Sequence, residues 1–441
     1  MALIIVSGGK AARPTAPSAG MSAAVRDKLG DILPPAARVL AIGCRDDMLR
    51  TRYLARHPQA SWHSVEHAAL APTQERFDLL LIGEALHRLP DPAALLDSLH
   101  LLCEPEGRLL AWTRNAVQPE LFERLAESDL SGENDEAVHR HSAASIFKLL
   151  MDCGWMPALA AECAALAPRP ATLAAAAQLA QALGVPQTTA LSQLRREHLI
   201  IDARPTFRAA APPPAGEAAR FTVVVPTTRE TQLRLNVERS PGLAEVGARI
   251  VSYRGALDPA EALERSLPHC DSDWVLFCHQ DVYFPRGFGA QLNALLHRVP
   301  SAERKRALFG FAGIGMNQRS DDFEPAGFVI DRTSRFDHAA SEQAVSIDEL
   351  AIVLSRHSLH RIDPKLGWHL WATDLCLAAM TQHDCFAHIL RLPLFHNSTN
   401  DYQLPTAFHD SAARLARKHA GLGVIRTLCG SIEAPVLQTA A

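Results

Sequence analysis

One apolar segment that breaks abruptly into polar residues places the strongest constraint on the fold of this chain. Residues 274–278 read Trp-Val-Leu-Phe-Cys, a run of strand length and strand composition, and His279, Gln280 and Asp281 follow at once. Open α/β sheets place their chemistry where a buried strand ends in polar residues. His279 and Asp281 face the same side of a continuing strand, so they could share a divalent metal ion. A turn that caps the strand, with His279 bonded to backbone, is an equally good interpretation.

Length and composition predict a two-domain cytoplasmic protein. A chain of 441 residues is too long for one ordinary core. Its 48% apolar and 21% charged residues are typical of a globular protein, and its net charge of -4 gives no reason to expect nucleic acid as a partner. The nine cysteines contain no Cys-x-x-Cys pair, which favours reduced thiols over disulfides or a zinc site. Residues 1–6 are too short for a signal peptide, and no apolar stretch reaches the length of a transmembrane segment.

Apolar runs and helical periodicities alternate along both halves of the chain. Strands are predicted at 38–44, 62–66, 77–83 and 108–112, with a helix at 93–103 between the last two. Such alternation indicates a parallel, doubly wound sheet, and the second half shows the same α/β character. The fold class is therefore predicted as α/β with two doubly wound domains. The predicted organisation is a leader at 1–36, a first domain at 37–163, a helical and Pro-rich linker at 164–219 and a second domain at 220–441.

The first domain resembles class I S-adenosylmethionine-dependent methyltransferases. The residues that carry the resemblance are Ile42-Gly43-Cys44, Glu66, Phe77-Asp78, Glu84-Ala-Leu-His-Arg-Leu-Pro-Asp-Pro92, Pro105-Glu-Gly107 and the segment from His141 to Gly154. The resemblance implies a Rossmann-like sheet that binds S-adenosylmethionine. Gly43 would let the backbone approach the methionine part of the cofactor, and Glu66 would hold the ribose hydroxyls.

Two departures from that family pattern favour a degenerate domain. Arg45, Asp46 and Asp47 stand where the family has further glycine, so side chains would crowd the cofactor and two carboxylates would oppose its own. The stretch between Glu66 and Phe77 is also too short for the usual additional helix and strand. We therefore expect a methyltransferase-like domain in which S-adenosylmethionine binding is doubtful, with an active methyltransferase as the alternative.

The second domain resembles nucleotide-sugar glycosyltransferases of the A-type fold, and in particular a glycosyltransferase domain from streptomycin biosynthesis. The matching pieces are Val-Val-Val-Pro-Thr at 223–227, His-Gln-Asp at 279–281, Val-Ser-Ile-Asp-Glu-Leu at 345–350, Gly-Trp-His-Leu-Trp-Ala-Thr-Asp-Leu-Cys-Leu at 367–377 and His-Asn-Ser at 396–398. The resemblance implies a metal ion, Mn²⁺ or Mg²⁺, held by Asp281 and neutralising a leaving diphosphate. His396 could add a ligand, whereas His279 departs from the aspartate expected there.

The remaining site residues follow from the same resemblance. Asp374 is predicted as the catalytic base, with helix capping as the alternative. The other predicted contacts are Pro226, Thr227 and Thr228 for the nucleotide and Asp348, Glu349, Trp368 and His369 for the acceptor. Each of these positions is also typical of strand ends or core aromatic residues, and that alternative stays open.

Together these features predict a glycosyltransferase, inverting by resemblance, in surface-polysaccharide or natural-product biosynthesis. It would move a sugar from a nucleotide sugar to a hydroxyl on a glycan, lipid-linked or small-molecule acceptor. One alternative is an active S-adenosylmethionine-dependent methyltransferase with an accessory sugar-transfer domain. The other is a non-catalytic scaffold.

Overall fold

The computed structural model divides the chain into two compact units. The first comprises residues 1–208 with 399–401, and the second comprises residues 209–398 with 402–441. The residues that the structure describes are 21–44, 46–65, 75–83, 85–119, 123, 139–164, 168–206, 219–300, 302–317, 322–357, 362–382, 386–398 and 404–434.

The first unit is built on one six-stranded sheet. Its strands are β1 (Arg38–Ile42), β2 (Ser61–Val65), β3 (Phe77–Ile82), β4 (Cys103–Arg114), β5 (Trp155–Ala164) and β6 (Arg196–Pro205). They lie in the order β2-β1-β3-β4-β6-β5. The pairs β1–β2, β1–β3 and β3–β4 are parallel, and β6 is antiparallel to both of its neighbours.

Several helices of the first unit begin after a residue whose side chain accepts a backbone N–H of the first turn. The helices of this unit are α1 (Ala23–Ile32), α2 (Asp47–Arg56), α3 (Ala85–Arg88), α4 (Pro92–Leu102), α5 (Ala143–Asp152), α6 (Pro170–Ala182) and α7 (Gln187–Leu194). Asp46, Asp91 and Ser142 each accept a backbone N–H from the first turn of α2, α4 and α5. The segment predicted as a linker, 164–219, thus holds two helices and strand β6 of the first sheet, besides its Pro-rich stretch.

The second unit contains fourteen strands among its described residues. They are β7 (Phe221–Pro226), β8 (Ile250–Tyr253), β9 (Trp274–Cys278), β10 (Val282–Tyr283), β11 (Ala307–Gly310), β12 (Ala312–Met316), β13 (Phe323–Asp331), β14 (Ser334–Asp337), β15 (Ala344–Ile347), β16 (Ala351–Ser355), β17 (Phe386–Ile389), β18 (Leu394–His396), β19 (Val424–Thr427) and β20 (Gly430–Glu433). Its longer helices and helical turns are α8 (Glu230–Leu235), α9 (Pro241–Ala244), α10 (Pro259–Ser266), α11 (Phe288–Arg298), α12 (Trp371–Gln382) and α13 (Thr406–Lys418).

The central sheet of the second unit has the order β17-β11-β16-β9-β7-β8. Its β8-β7-β9 portion is parallel, as a doubly wound sheet requires, but β16 is antiparallel to both β9 and β11. Along β9, Val275 and Phe277 join one buried cluster while Trp274, Leu276 and Cys278 join another. Alternate side chains therefore fill cores on both faces, which explains the continuous apolar run in the sequence.

A second sheet of this unit positions the polar residues that follow β9. Its order is β10-β18-β13-β12-β15, with β14 added beside β13. β13 and β18 run parallel, and β10 and β18 run antiparallel. The molecule is thus mixed α/β with several sheets, but the second unit is not a single doubly wound layer. No helix among the described residues is long and apolar enough to traverse a bilayer.

Candidate functional site

The first candidate site lies where β1 and β3 end side by side in the first unit. The chain passes from β1 outward to β2 and then returns to β3 on the other side of β1, so the strand order reverses between β1 and β3. Gly43 follows β1 with φ of +62°, and its N–H donates to the Val65 carbonyl at 2.8 Å. Glycine reaches this left-handed conformation without the strain that a side chain brings. Glu66, the predicted ribose contact, lies outside the described residues.

The carboxylate of Asp46 near this strand end is already engaged. It accepts the Leu49 N–H at 2.8 Å as the N-cap of α2, and its other oxygen lies 2.7 Å from Arg26 Nε. Its side chain is only 6% exposed. Asp47, in contrast, is exposed on the first turn of α2. The predicted repulsion between Asp46 and a cofactor carboxylate is therefore offset by the guanidinium of Arg26.

Two histidines, His87 and His141, lie together at the end of β4 in the same unit. The Nε2 atom of His87 forms a hydrogen bond with Thr113 Oγ1 at 2.7 Å. The Nδ1 atom of His87 lies 3.1 Å from the His139 carbonyl oxygen. His141 is packed beside His87, and burial followed by the charge of His87 lowers the pKa of His141 to about 4. These imidazoles hold the strand ends together, so we interpret them as structural.

The second candidate site is a cluster of His279, Asp281 and His396 in the second unit. One ligand atom from each side chain lies within 4.8 Å of those of the other two. The Nε2 atom of His396 lies 3.4 Å from Asp281 Oδ1, and the His279 and His396 rings have centroids 5.8 Å apart. The structure thus brings together the three residues predicted as metal ligands.

Backbone pairing explains why these residues meet. The His279 N–H donates to the Leu350 carbonyl at 2.9 Å, which fixes the turn after β9 against the start of β16. Val282 on β10 stands opposite His396 on β18, and the Asn397 N–H donates to the Asp281 carbonyl at 2.8 Å. The turn that follows β9 in the central sheet and the end of β18 in the second sheet therefore meet at one point.

Charges within the cluster alter the pKa values of its members. Burial lowers the pKa of His279. Burial alone would also lower the pKa of His396, but the carboxylates of Asp281 and Asp331 outweigh it and raise that pKa to about 10. Burial would raise the pKa of Asp281, yet the charge of His396 holds it well below its usual range. The cluster is thus a compact site of paired charge with nitrogen and oxygen donors.

The residues predicted to hold a nucleotide occupy the end of β7. Thr227 is buried, and its N–H donates to the Tyr253 carbonyl at 2.7 Å. Thr228 is exposed and is joined to Gln280, whose Oε1 accepts the N–H groups of Thr228 and Arg229 at 2.9 and 2.7 Å. Pro226 is the partly buried last residue of β7. Their role as nucleotide contacts stays a prediction, and no local sequence pattern indicates the bridging role of Gln280.

The residues predicted to line an acceptor site lie near the start of β16 and of α12. Asp348 accepts the Leu350 N–H at 3.0 Å, and Glu349 accepts the Ala372 N–H at 3.4 Å. Burial, followed by the charge of Asp348, raises the pKa of Glu349 to about 8. Trp368 packs against the core, and the ring of His369 lies edge-on to Phe408. Acceptor binding by these residues is likewise untested.

Asp374, predicted as the catalytic base, is 1% exposed in the first turn of α12. Its Oδ2 lies 2.7 Å from Lys418 Nζ, and its Oδ1 lies 2.8 Å from His419 Nε2. Both carboxylate oxygens therefore have partners on the C-terminal end of α13. A base for an external hydroxyl needs a free, reachable oxygen, and this arrangement suits a structural ion pair instead.

Comparisons with known proteins match solved methyltransferases. A Mesorhizobium loti S-adenosylmethionine-dependent methyltransferase is 18% identical with a TM-score of 0.25, over 41% of this chain and 98% of its own. The plantazolicin methyltransferase BpumL is 12% identical with a TM-score of 0.28, over 42% of this chain and 85% of its own. A possible histamine N-methyltransferase from Thermotoga maritima is 12% identical with a TM-score of 0.27, over 41% of this chain and 87% of its own. No family model and no curated protein matches. Because these likenesses are weak, no activity is transferred from them to this chain.

The prediction that this chain is a glycosyltransferase is wrong. The similar solved structures reported above are methyltransferases and none is a glycosyltransferase. The assigned base, Asp374, has one oxygen in an ion pair with Lys418 and the other in contact with His419. The nucleotide-sugar donor has no support from the comparisons either.

Proposed function

We propose that the first unit binds S-adenosylmethionine and transfers its methyl group to an acceptor. The observation that carries this proposal is the reversal of strand order between β1 and β3, with Gly43 at the carboxyl end of β1. Open α/β sheets bind nucleotide-type ligands in the crevice at such a reversal. When bound there, the cofactor supplies an electrophilic methyl group.

The residues at this crevice fit such a cofactor. Gly43 is half-buried, and a Cβ built on it would lie 3.1 Å from Ala85 Cβ, so a side chain there would crowd the start of α3 beside the strand end. The partly buried charge of Asp46 is balanced by Arg26. Of the two acids predicted to oppose the cofactor carboxylate, only the exposed Asp47 would therefore still do so. The domain limits of 37–163 and 220–441 stay a prediction; α1 and β6 lie outside these limits and belong to the first unit.

Calorimetry with S-adenosylmethionine and S-adenosylhomocysteine tests this function. We expect the full chain to bind both, and Gly43→Ala to weaken binding at least tenfold. Gly184→Ala is the matched control, because Gly184 has a similar φ of +65° but no atom within 4 Å of its Cβ position. Both variants carry about the same left-handed strain, roughly 1–2 kcal/mol. Absence of binding to the wild-type chain at millimolar cofactor, or equal binding by Gly43→Ala, would overturn the proposal.

We further propose a divalent metal centre at His279, Asp281 and His396 in the second unit. The convergence of three donors from two chain segments favours it. Two imidazoles and one carboxylate suit Mn²⁺, Fe²⁺, Co²⁺ or Zn²⁺ better than Mg²⁺, which prefers oxygen ligands. Three protein ligands leave positions open for water or a substrate oxygen, and a bound ion would act there as a Lewis acid.

Metal titration tests this centre without an assay of activity. We expect the chain, after treatment with EDTA, to bind one Mn²⁺ by electron paramagnetic resonance and one Co²⁺ by its visible absorption. Asp281→Ala and His396→Ala should each abolish that binding while leaving S-adenosylmethionine binding unchanged. Binding of both ions by Asp281→Ala with wild-type affinity would refute the centre.

A further inference from the structure

We propose that Asp331 is the positioning residue of the metal centre, holding the His396 ring so that Nε2 is its ligand atom. This inference rests on the metal centre proposed above. Asp331 was not singled out by the sequence, since it lies far upstream of His396 on a different strand.

The register of two parallel strands brings Asp331 and His396 together. Asp331 is the last residue of β13, and it pairs directly with His396, the last residue of β18. Directly paired residues on adjacent strands project from the same face of a sheet. The Arg332 N–H donates to the His396 carbonyl at 2.9 Å, which extends the pairing one residue beyond β13. The backbone therefore fixes the side chains of Asp331 and His396 beside each other.

The two nitrogens of His396 face two different carboxylates. Nδ1 lies 3.0 Å from Asp331 Oδ1, an ion-pair distance without the alignment of a hydrogen bond, and Nε2 lies 3.4 Å from Asp281 Oδ1. A metal ion would displace the proton from the nitrogen that it binds, so a ligating imidazole is neutral, with one ring nitrogen protonated and the other donating its lone pair. A carboxylate beside Nδ1 favours the proton there, which leaves the lone pair on Nε2, toward Asp281.

This arrangement separates the role of Asp331 from that of Asp281. Asp281 faces Nε2, the side on which a metal ion would bind, whereas Asp331 lies behind the ring on the Nδ1 side. Carboxylates in that position orient metal-bound histidines and raise their basicity, and their loss typically weakens metal affinity about 10–100-fold. Asparagine keeps an oxygen beside Nδ1, but it lacks the charge.

The experiment compares metal binding by Asp331→Ala, Asp331→Asn and Asp410→Asn in the full chain. Asp410 is an exposed acid on α13 and serves as the control for loss of one carboxylate. We expect Asp331→Ala to weaken Mn²⁺ and Co²⁺ affinity about 10–100-fold and to change the Co²⁺ absorption spectrum. Asp331→Asn should recover most of the affinity, and Asp410→Asn should match the wild type.

The outcomes distinguish this inference from the metal centre itself. If the wild-type chain binds neither ion, the metal centre is refuted and the role of Asp331 with it. If the wild type binds but Asp331→Ala has wild-type affinity and an unchanged spectrum, only the positioning role is wrong. Circular dichroism and melting of the metal-free variants check folding. Should Asp331→Ala not fold, Asp331→Leu replaces it, because leucine keeps the approximate volume but offers no oxygen to Nδ1. Weaker metal binding by Asp331→Leu than by Asp331→Asn supports the role, and equal wild-type affinity in both variants contradicts it.

Discussion

Asp374 and Lys418 form an ion pair that joins the first turn of α12 to the last residue of α13. The carboxylate oxygen lies 2.7 Å from Nζ, and the side chain of Asp374 is 2% exposed whereas that of Lys418 is 40% exposed. Lys418 also lies 2.9 Å from Asp363, and His419 contacts the second oxygen of Asp374. The buried carboxylate of Asp374 therefore depends on its partners more than the exposed ammonium group of Lys418 does.

We therefore expect Lys418→Met to destabilise the second unit more than Asp374→Asn does. Loss of Lys418 leaves a buried carboxylate with only His419, while loss of Asp374 leaves an ammonium that reaches water and Asp363. Either change should lower the free energy of unfolding by about 1–3 kcal/mol. Hydrogen–deuterium exchange of peptides from 371–382 and 406–418 measures this locally. Arg417→Met, at an exposed position on α13, should change the free energy of unfolding by less than about 0.5 kcal/mol. The reverse order of effects would contradict this view of the pair.

Local sequence patterns predict the buried parallel strands well. The predicted run at 274–278 is β9 to the residue, and the runs at 38–44 and 77–83 contain β1 and β3. Strands buried on both faces are continuous apolar segments bounded by polar or glycine residues, so their limits can be seen without tertiary information.

The same patterns do not show which sheet a strand joins. Residues 345–354 read as one strand that is interrupted by Asp348 and Glu349, but they form β15 and β16 in different sheets. Residues 308–314 also read as one apolar strand flanked by glycines, but they contribute to two strands, β11 and β12. A short connection between two apolar runs does not reveal a change of direction. For the same reason the contact of Asp331 with His396, which depends on long-range pairing, could not be predicted.

Glu349 should make the stability of the second unit dependent on pH. Burial and then Asp348 raise its pKa from 4.5 to about 8, so the folded chain keeps a proton that the unfolded chain has lost between these values. The free energy of unfolding should therefore fall as pH rises through this window, by at most about 1.4 kcal/mol per unit. Glu349→Gln should remove the slope, so that the variant gains stability relative to wild type from pH 5 to pH 8.

Urea unfolding at pH 5, 6.5 and 8 measures this difference. Glu433→Gln provides the control, because Glu433 is an exposed glutamate at the end of β20. If the wild type and Glu349→Gln show parallel pH profiles, Glu349 is ionised in the folded state and the inference fails.

We expect Gln280 to stabilise the contact between the segments that follow the C-terminal ends of β7 and β9. Its Oε1 accepts two backbone N–H groups, from Thr228 and Arg229, while its Nε2 donates to Thr228 Oγ1 at 3.0 Å. Gln280→Met keeps the size but leaves both N–H groups without this acceptor, which should cost about 1–3 kcal/mol. Backbone amide hydrogen exchange of residues 227–230 should therefore be faster in Gln280→Met than in the wild type. Thr228→Val loses only the single bond from Nε2 and should show a smaller effect; equal exchange in both variants would mean that water replaces the Gln280 oxygen.

Asp46 should stabilise α2 without opposing a bound cofactor. As N-cap it accepts the Leu49 N–H, and it pairs with Arg26 at 2.7 Å. Asp46→Ala should lower the free energy of unfolding of the first unit by about 1–2 kcal/mol, and Asp46→Asn by less, because asparagine caps nearly as well. Thermal melting measures both losses. Since Arg26 already balances the charge of Asp46, calorimetry with S-adenosylmethionine should give Asp46→Asn an affinity within about threefold of wild type, roughly 0.6 kcal/mol. A tenfold gain would instead show that this carboxylate repels the cofactor, as the sequence pattern first indicated.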